Sequence, residues 1–220
     1  MIILRRGLSH LSRYVQHKTT NFSTNECTPE KKNSMYRTSE CIVWMDMEMT
    51  GLDPLKDKIL ELACLVTDCN LKTVSDEFEI VIHQPDEVLN GMDEWNTKQH
   101  RKSGLIDGSR NSKITNSDAE LKLLDFLQNY IPQSTCPLAG NSIHMDRMFL
   151  KVHLPLVDSY LHYRLIDVSS LKELARRWNR RVYKERPQKQ FTHRALDDIK
   201  ESISELDYYR TFAFQAPDLR

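Results

Sequence analysis

The stretch Cys41-Ile42-Val43-Trp44-Met45-Asp46-Met47-Glu48-Met49 decides the fold. Its first five residues are apolar without a break, as expected of a central strand buried on both faces. Side chains alternate along a strand, so Asp46 and Glu48 point to the same face. Two carboxylates side by side on an apolar strand are costly unless something positive stands between them. Either the strand end passes into solvent there, or a divalent cation sits between the pair. Hard oxygen ligands of this kind suit magnesium or manganese.

Working outward toward the C-terminus, residues 59–67 and 78–82 read as the next two strands of a meander, separated by turn-prone Asp68-Cys69-Asn70. Ser117-Asp118-Ala119-Glu120 predicts a capping box that opens an amphipathic helix to about residue 131, with Leu121, Leu124 and Leu127 as its apolar ridge. Pro137-Leu138-Ala139-Gly140-Asn141 predicts a short strand leading to a helix over 146–152. Leu165-Ile166-Asp167-Val168 predicts another strand, followed by helices over 170–178 and 194–211. Three strands followed by alternating helices and strands imply an α/β fold, a mixed sheet covered by helices.

Toward the N-terminus the character changes. Residues 1–25 contain no Asp or Glu, several Ser and Thr, and Arg at 5, 6 and 13, the composition of a mitochondrial presequence or of a disordered tail. Residues 26–40 are polar and non-periodic and read as a linker. The expected division is therefore a presequence with linker over 1–35 and a catalytic domain over 40–214. Met35 could serve as an internal start giving a cytosolic form.

The 220 residues are 40% apolar and 28% charged, enough for one sizeable core. Met1-Ile2-Ile3-Leu4 is cut off by Arg5-Arg6, and no stretch approaches the roughly 18–20 apolar residues of a membrane span, so a soluble protein is expected. The five cysteines (27, 41, 64, 69 and 136) lack zinc or disulfide spacing and imply free thiols in a reducing compartment. Net charge is zero, yet residues 1–40 hold seven basic and three acidic residues, leaving 24 basic and 28 acidic in the remainder. A protein that grips long nucleic acid needs many cations for its phosphates. An acidic body points instead to a small substrate, or to metal ions masking its carboxylates.

Two further acids stand at helix starts. Asp146 follows Asn141 by five positions, and Asp198 ends His193-Arg194-Ala195-Leu196-Asp197-Asp198. Taken alone, each reads as an ordinary helix-terminal acid. Five helical steps turn about 500°, so His193 and Asp198 converge only if His193 lies just before the helix. Asp197, turned about 100° from its neighbour, is left out.

Four carboxylates in the order Asp-x-Glu, Asp, Asp, with a histidine five positions before the last, resemble the DEDDh exonucleases of the ribonuclease H-like fold. Trp44-Met45-Asp46-Met47-Glu48-Met49-Thr50-Gly51-Leu52, Gly140-Asn141-Ser142-Ile143, His162-Tyr163-Arg164 and the His193 segment are similar to the oligoribonucleases among them. The resemblance spans about residues 41–214, and the N-terminal extension resembles that of the mitochondrial form. It implies a ribonuclease H-like mixed sheet flanked by helices. The implied activity is metal-dependent, 3′-to-5′ conversion of RNA fragments of two to five nucleotides, dinucleotides especially, to 5′-mononucleotides. By the same resemblance Asp46, Glu48, Asp146 and Asp198 hold two divalent ions, Mg2+ or Mn2+, and His193 is the general base. Leu52 and Trp95 match residues that wedge between and stack on the bases. Ser142, His162, Tyr163, Arg164 and Ser169 match a cap over the 5′ phosphate, part of it from a second subunit, which implies a homodimer.

These residue types suit the chemistry. Phosphodiester hydrolysis needs a deprotonated water near neutral pH and neutralisation of charge on the leaving oxygen, and two metal ions can serve both needs. Imidazole's pKa lies near working pH. Stacking holds a base irrespective of sequence and is worth about 1–3 kcal/mol per base. Arginine can grip a phosphate bidentately, with hydroxyls completing the hydrogen bonding. Core packing is the alternative for Trp95, but the polar Met92-Asp93-Glu94-Trp95-Asn96-Thr97 reads as a loop and favours a site role.

Two rival functions share this fold. A DEDDh exonuclease trimming longer RNA or DNA is opposed by the acidic body and by His162-Tyr163-Arg164. A non-catalytic RNA-binding scaffold would ordinarily have lost a metal carboxylate, and none is missing. The basic run Arg176-Arg177-Trp178-Asn179-Arg180-Arg181, with Lys184, Arg186 and Lys189, reads as a solvated helix end and loop rather than an RNA contact. His83, His100, His144 and His153 lack partners at ligand spacing and read as packing or capping residues.

Overall fold

In the computed structural model, which describes residues 40–188 and 194–214, the decisive stretch forms the central strand β1 (Ile42–Met49). β2 (Ile59–Thr67) pairs with it antiparallel, and β3 (Phe78–Val81) continues the meander at the outer edge. On the other side β4 (Leu138–Gly140) and β5 (Leu165–Asp167) run parallel, giving the order β3-β2-β1-β4-β5. The expected mixed sheet is thus observed. The presequence and linker over 1–35, Met35, Lys189 and His193 lie outside the described residues.

Alternation along β1 divides the core in two. Val43, Met45 and Met47 pack with α4 (Asn116–Tyr130), α5 (His144–His153) and α6 (Pro155–Tyr160). Trp44 lies on the opposite face with Ala63, Leu65 and Ala139, covered by α7 (Val168–Trp178), α8 (Arg180–Glu185) and α9 (Ala195–Ala213). The Trp44 indole is fully buried and donates its N–H to Thr67 Oγ1 at 3.0 Å, so its polar edge is satisfied. Asp46 and Glu48 follow Trp44 on the α9 side, where the covering layer gives way.

The structure corrects several boundaries. The box that opens α4 is Thr115 with Asp118, each side chain bonding the other's backbone, two residues before the expected one. The buried stripe is accordingly Ala119, Leu123 and Leu127, at i, i+4 and i+8, while Leu121 is exposed. Val168 begins α7 rather than ending β5, because the Asp167 side chain accepts the Ser169 amide as a helix cap. Residues 85–111, of which the sequence assigned only 92–97, as a loop, form α1 (Asp86–Asn90), α2 (Glu94–Lys102) and α3 (Leu105–Asn111). Part of the basic run expected as a loop is helix α8, capped by the Asn179 side chain. No helix among the described residues is long and apolar enough to cross a membrane.

The β1–β4 junction tolerates no side chain at Gly140. A Cβ there would stand 2.8 Å from the Met45 carbonyl oxygen and 3.0 Å from the Ile143 side chain. Gly140→Ala should therefore destabilise the fold by about 1–3 kcal/mol, the usual cost of overpacking, read as a lower urea midpoint at unchanged slope.

Candidate active site

The site grows from the end of β1. A register irregularity between Glu48 and Met49 interrupts the β1–β2 ladder just where the carboxylates emerge. α9 crosses this face, and Asp198 in its first turn meets the strand. One ligand oxygen each from Asp46, Glu48 and Asp198 lies within 4.8 Å of the others, the spacing a divalent cation needs.

What brings α9 there is a fully buried acid. Glu61 stands opposite Glu48 in the ladder. Arg194 reaches Glu61 with Nη2 at 2.8 Å and Nε at 3.1 Å, and the Ala195 amide donates to it at 3.2 Å. Arg194 also pairs with Glu79 on β3 at 3.1 Å. The start of α9 is thereby fastened to two strands, and the first helical bond, from the Asp198 amide to the Arg194 carbonyl, follows at 3.1 Å.

Asp146 comes from the first turn of α5 on the other side of the sheet. It is not within the close three-carboxylate group. It is buried, accepts the Met47 amide, and its charge bears on Glu48. Burial pushes the Asp146 carboxyl above the usual range. Burial, then the charges of Asp198, Glu61 and Asp146, push Glu48 up to about 8. A carboxyl held up in this way, with carboxylate oxygens of Asp46 and Asp198 beside it, suits a divalent cation, whose positive charge favours the ionised form of such oxygen donors.

One functional neighbour escaped the sequence reading. His100, 2% exposed on α2, lies with Nε2 2.9 Å from the Met49 carbonyl oxygen and Nδ1 3.8 Å from a Glu48 oxygen. It docks α2 on the end of β1 beside the carboxylates. Trp95, expected in a loop, occupies the first turn of this helix, capped by Asp93. Its ring is nonetheless 60% exposed. Leu52, 72% exposed, projects from the turn after β1. That turn is held by Asp57, which accepts from Thr50 Oγ1 and the Asp53 amide, and by a His153 contact to the Pro54 carbonyl. A Cβ on Gly51 would strike the Asp57 carboxylate at 2.4 Å.

Of the expected cap residues, Ser142 and Ser169 are brought together, their hydroxyls 3.2 Å apart. One oxygen of Asp167 accepts both serine amides, at 3.0 and 2.9 Å. Ser142 is held at φ +54°, a left-handed conformation unusual for a residue with a side chain. The half-buried His162 and the exposed Tyr163 and Arg164 form a second cluster. The His162 ring stacks on Tyr163 at 4.4 Å, and the guanidinium lies 5.5 Å from the Tyr163 ring centre. The expected base His193 lies outside the described residues. His83 contacts the Ser109 carbonyl, and His144 lies 3.6 Å from Asp167.

The exonuclease family RNase_T matches residues 43–206. The chain is 51% identical over 174 residues to a probable oligoribonuclease of Drosophila melanogaster, covering 79% of this chain and 82% of that one. It is 52% identical over 169 residues to the oligoribonuclease of Pseudomonas aeruginosa, covering 77% and 93%. The mitochondrial oligoribonuclease of Homo sapiens is 48% identical over 174 residues, covering 79% and 73%. Among solved structures, exonuclease I of Methylocaldum szegediense superposes with a TM-score of 0.59 at 14% identity over 78% of this chain. E. coli exonuclease I in complex with a dT13 oligonucleotide superposes at 0.62 with 12% identity over 79%. The chain spans only 40% and 41% of the length of these two structures, and the likeness is one of fold.

The raised Glu48 carboxyl sets the sign of a pH effect. Between its ordinary value of 4.5 and about 8, the folded chain binds this proton more tightly than the unfolded chain. Stability in chelator should therefore fall as pH rises through that window. Added Mg2+ or Mn2+ should raise the Tm more at about pH 8 than at about pH 5.5, and Glu48→Gln should flatten the slope in chelator. A Tm in chelator that climbs across this range would contradict the assignment.

Proposed function

Since the chain belongs to the oligoribonuclease family of 3′-to-5′ exoribonucleases, we propose that it degrades RNA fragments of two to five nucleotides, dinucleotides above all, to 5′-mononucleotides. The observation that carries this reading is the convergence of Asp46, Glu48 and Asp198 within ligand distance, in a chain half identical to oligoribonucleases. Asp46, Glu48, Asp146 and Asp198 would hold two divalent ions, Mg2+ or Mn2+. When bound, such ions supply Lewis-acid stabilisation of the charge that develops on the phosphate and the leaving 3′ oxygen.

The remaining steps belong to the chain's own side chains. His193 takes the proton of the water that attacks phosphorus. The bond to the 3′ oxygen then breaks, that oxygen is protonated, and a 5′-mononucleotide leaves. Leu52 and Trp95, both exposed beside the cluster, receive the bases. Ser142 and Ser169 receive the 5′ phosphate, Ser142 by turning its hydroxyl proton from Ser169 Oγ to the phosphate while Ser169 keeps its bond to Asn141, since Asp167 already occupies both amides. His162, Tyr163 and Arg164 close over it. Tyr163 is 75% exposed, which fits a homodimer in which this cluster reaches the partner subunit's site.

The acid-free, Arg-bearing residues 1–25 support a mitochondrial presequence within 1–35, as does the mitochondrial oligoribonuclease of Homo sapiens among the relatives. An internal start at Met35 would yield a cytosolic form, and residues 40–214 constitute the exonuclease domain.

A length series on 5′-labelled RNA with Mg2+ tests the proposal. Purified protein should convert dinucleotide to mononucleotide faster than it shortens a seven-nucleotide chain; a preference for the longer strand, as a strand-trimming exonuclease would show, overturns it. Trp95→Ala should weaken dinucleotide affinity by about 1–3 kcal/mol, the value of one stacked base. Asp198→Ala should abolish turnover and leave dinucleotide binding measurable.

A further inference from the structure

Asn141 directly follows β4 and bonds two helices at once. Its Oδ1 accepts the Ser169 hydroxyl of α7 at 3.2 Å. Its Nδ2 donates to Ser202 Oγ at 2.9 Å and to Glu205 at 3.4 Å, both on α9. The orientation is fixed from below. Glu205 is buried, its carboxylate accepts from the Tyr209 hydroxyl at 2.9 Å, and Arg186 stands 3.9 Å away. Ser202 gives its hydroxyl proton to the Asp198 carbonyl and can only accept from Asn141, so the amide nitrogen must face α9 and the amide oxygen must face Ser169. Ser202 donates in turn to the Asp198 carbonyl at 2.7 Å. The bonds therefore form a path from Ser142 through Ser169, Asn141 and Ser202 to Asp198. One end of the path is the serine pair, and the other is the helical turn that begins at a metal-site carboxylate.

We propose that Asn141 is a specificity-determining positioning residue that sets the span between the 5′-phosphate stop and the carboxylate cluster, and so fixes the length of RNA that is cleaved. The proposal rests on the reading of Ser142 and Ser169 as that stop. A dinucleotide is registered at both ends, by its terminal phosphate and by its scissile phosphate, so a drift between α7 and α9 misplaces one of them. Misplacements of about 1 Å can cost on the order of a hundredfold in rate. A longer strand cannot seat its 5′ end on the stop. It engages the cluster alone and is indifferent to the span.

The test measures kcat and KM, with Mg2+ present, on a 5′-phosphorylated dinucleotide and on a seven-nucleotide strand. Ser202→Ala removes the last two bonds of the path by replacing a hydroxyl with a hydrogen, and Asn141→Ala removes all bonds of the Asn141 side chain. The dinucleotide kcat should fall about tenfold in Ser202→Ala and further in Asn141→Ala, while kcat/KM on the longer strand changes less than about twofold. The advantage of the dinucleotide then narrows. Equal losses on both substrates indicate a merely structural role and overturn the proposal, as does an unaltered preference. Should Asn141→Ala fail to fold by thermal melting, Ser202→Ala decides alone. Wild-type protein without any dinucleotide preference removes the proposed function as well, whereas a wild-type preference that survives Ser202→Ala overturns only the role of Asn141.

Discussion

Glu61 lies across the ladder from Glu48, in a strand whose nine residues are all buried, and the guanidinium of Arg194 that reaches it fastens the start of α9 to the sheet. Burial pushes the Glu61 carboxyl above the ordinary range, and the Ala195 amide and Arg194 only partly offset this. Losing one partner of a buried ion pair commonly costs about 3–5 kcal/mol, less here because Arg194 is 40% exposed and partly screened. The positional consequence exceeds the energetic one. Without a cation at the head of α9, the helix would bring Asp198 toward a strand pair already carrying three acids, Asp46 and Glu48 on β1 and Glu61 on β2. Arg194 pairs with the innermost of these, and the outer three, Asp46, Glu48 and Asp198, have the spacing that could hold a metal ion.

The sequence carried the parts of this arrangement that are local. The apolar run before Asp46 announces a central strand, and the period of two puts Asp46 and Glu48 on one face. Asp146 and Asp198 could be placed at helix starts from the turn chemistry before them. Long-range partners were not legible, because no local pattern encodes which strand residue a distant side chain will meet. His100 and the Met49 carbonyl are separated by 51 positions, and Arg194 and Glu61 by 133. Glu61 did leave a signal. A lone carboxylate inside Ile59-Leu60-Glu61-Leu62-Ala63-Cys64-Leu65 has to find a cation or expel its charge, and that alone could have directed attention to it.

Errors at the next level have similar causes. Ser117 and Glu120 satisfy the spacing of a capping box, but Thr115 and Asp118 satisfy it two residues earlier, and the earlier pair buries Leu123 rather than Leu121. Val168 was read as the end of β5, although the carboxylate of Asp167 before it caps α7 and ties Ser142 to Ser169. Trp95 was placed in a loop because its neighbours are polar. They are polar because α2 meets the body chiefly through the buried imidazole of His100, leaving its other faces to solvent.

The charge of the body gains meaning from these positions. With 28 acidic and 24 basic residues beyond residue 40, the domain offers little to a long polyanion, whose affinity grows with each phosphate neutralised. A fragment with one or two phosphates forgoes that term almost entirely and has to be held through its bases and its ends. Under the proposed function the chain would provide for both by exposing what a fold ordinarily hides. Leu52 and Trp95 stand in solvent on braced elements, and Ser142 is kept in a left-handed conformation costing on the order of 1–3 kcal/mol. Such strain persists only where the surroundings over-determine it, and the Asp167 oxygen that accepts two amides does so here. Under the proposed function, rigidity at the serine pair and at the head of α9 would take the place that a basic surface fills in a protein built for longer strands.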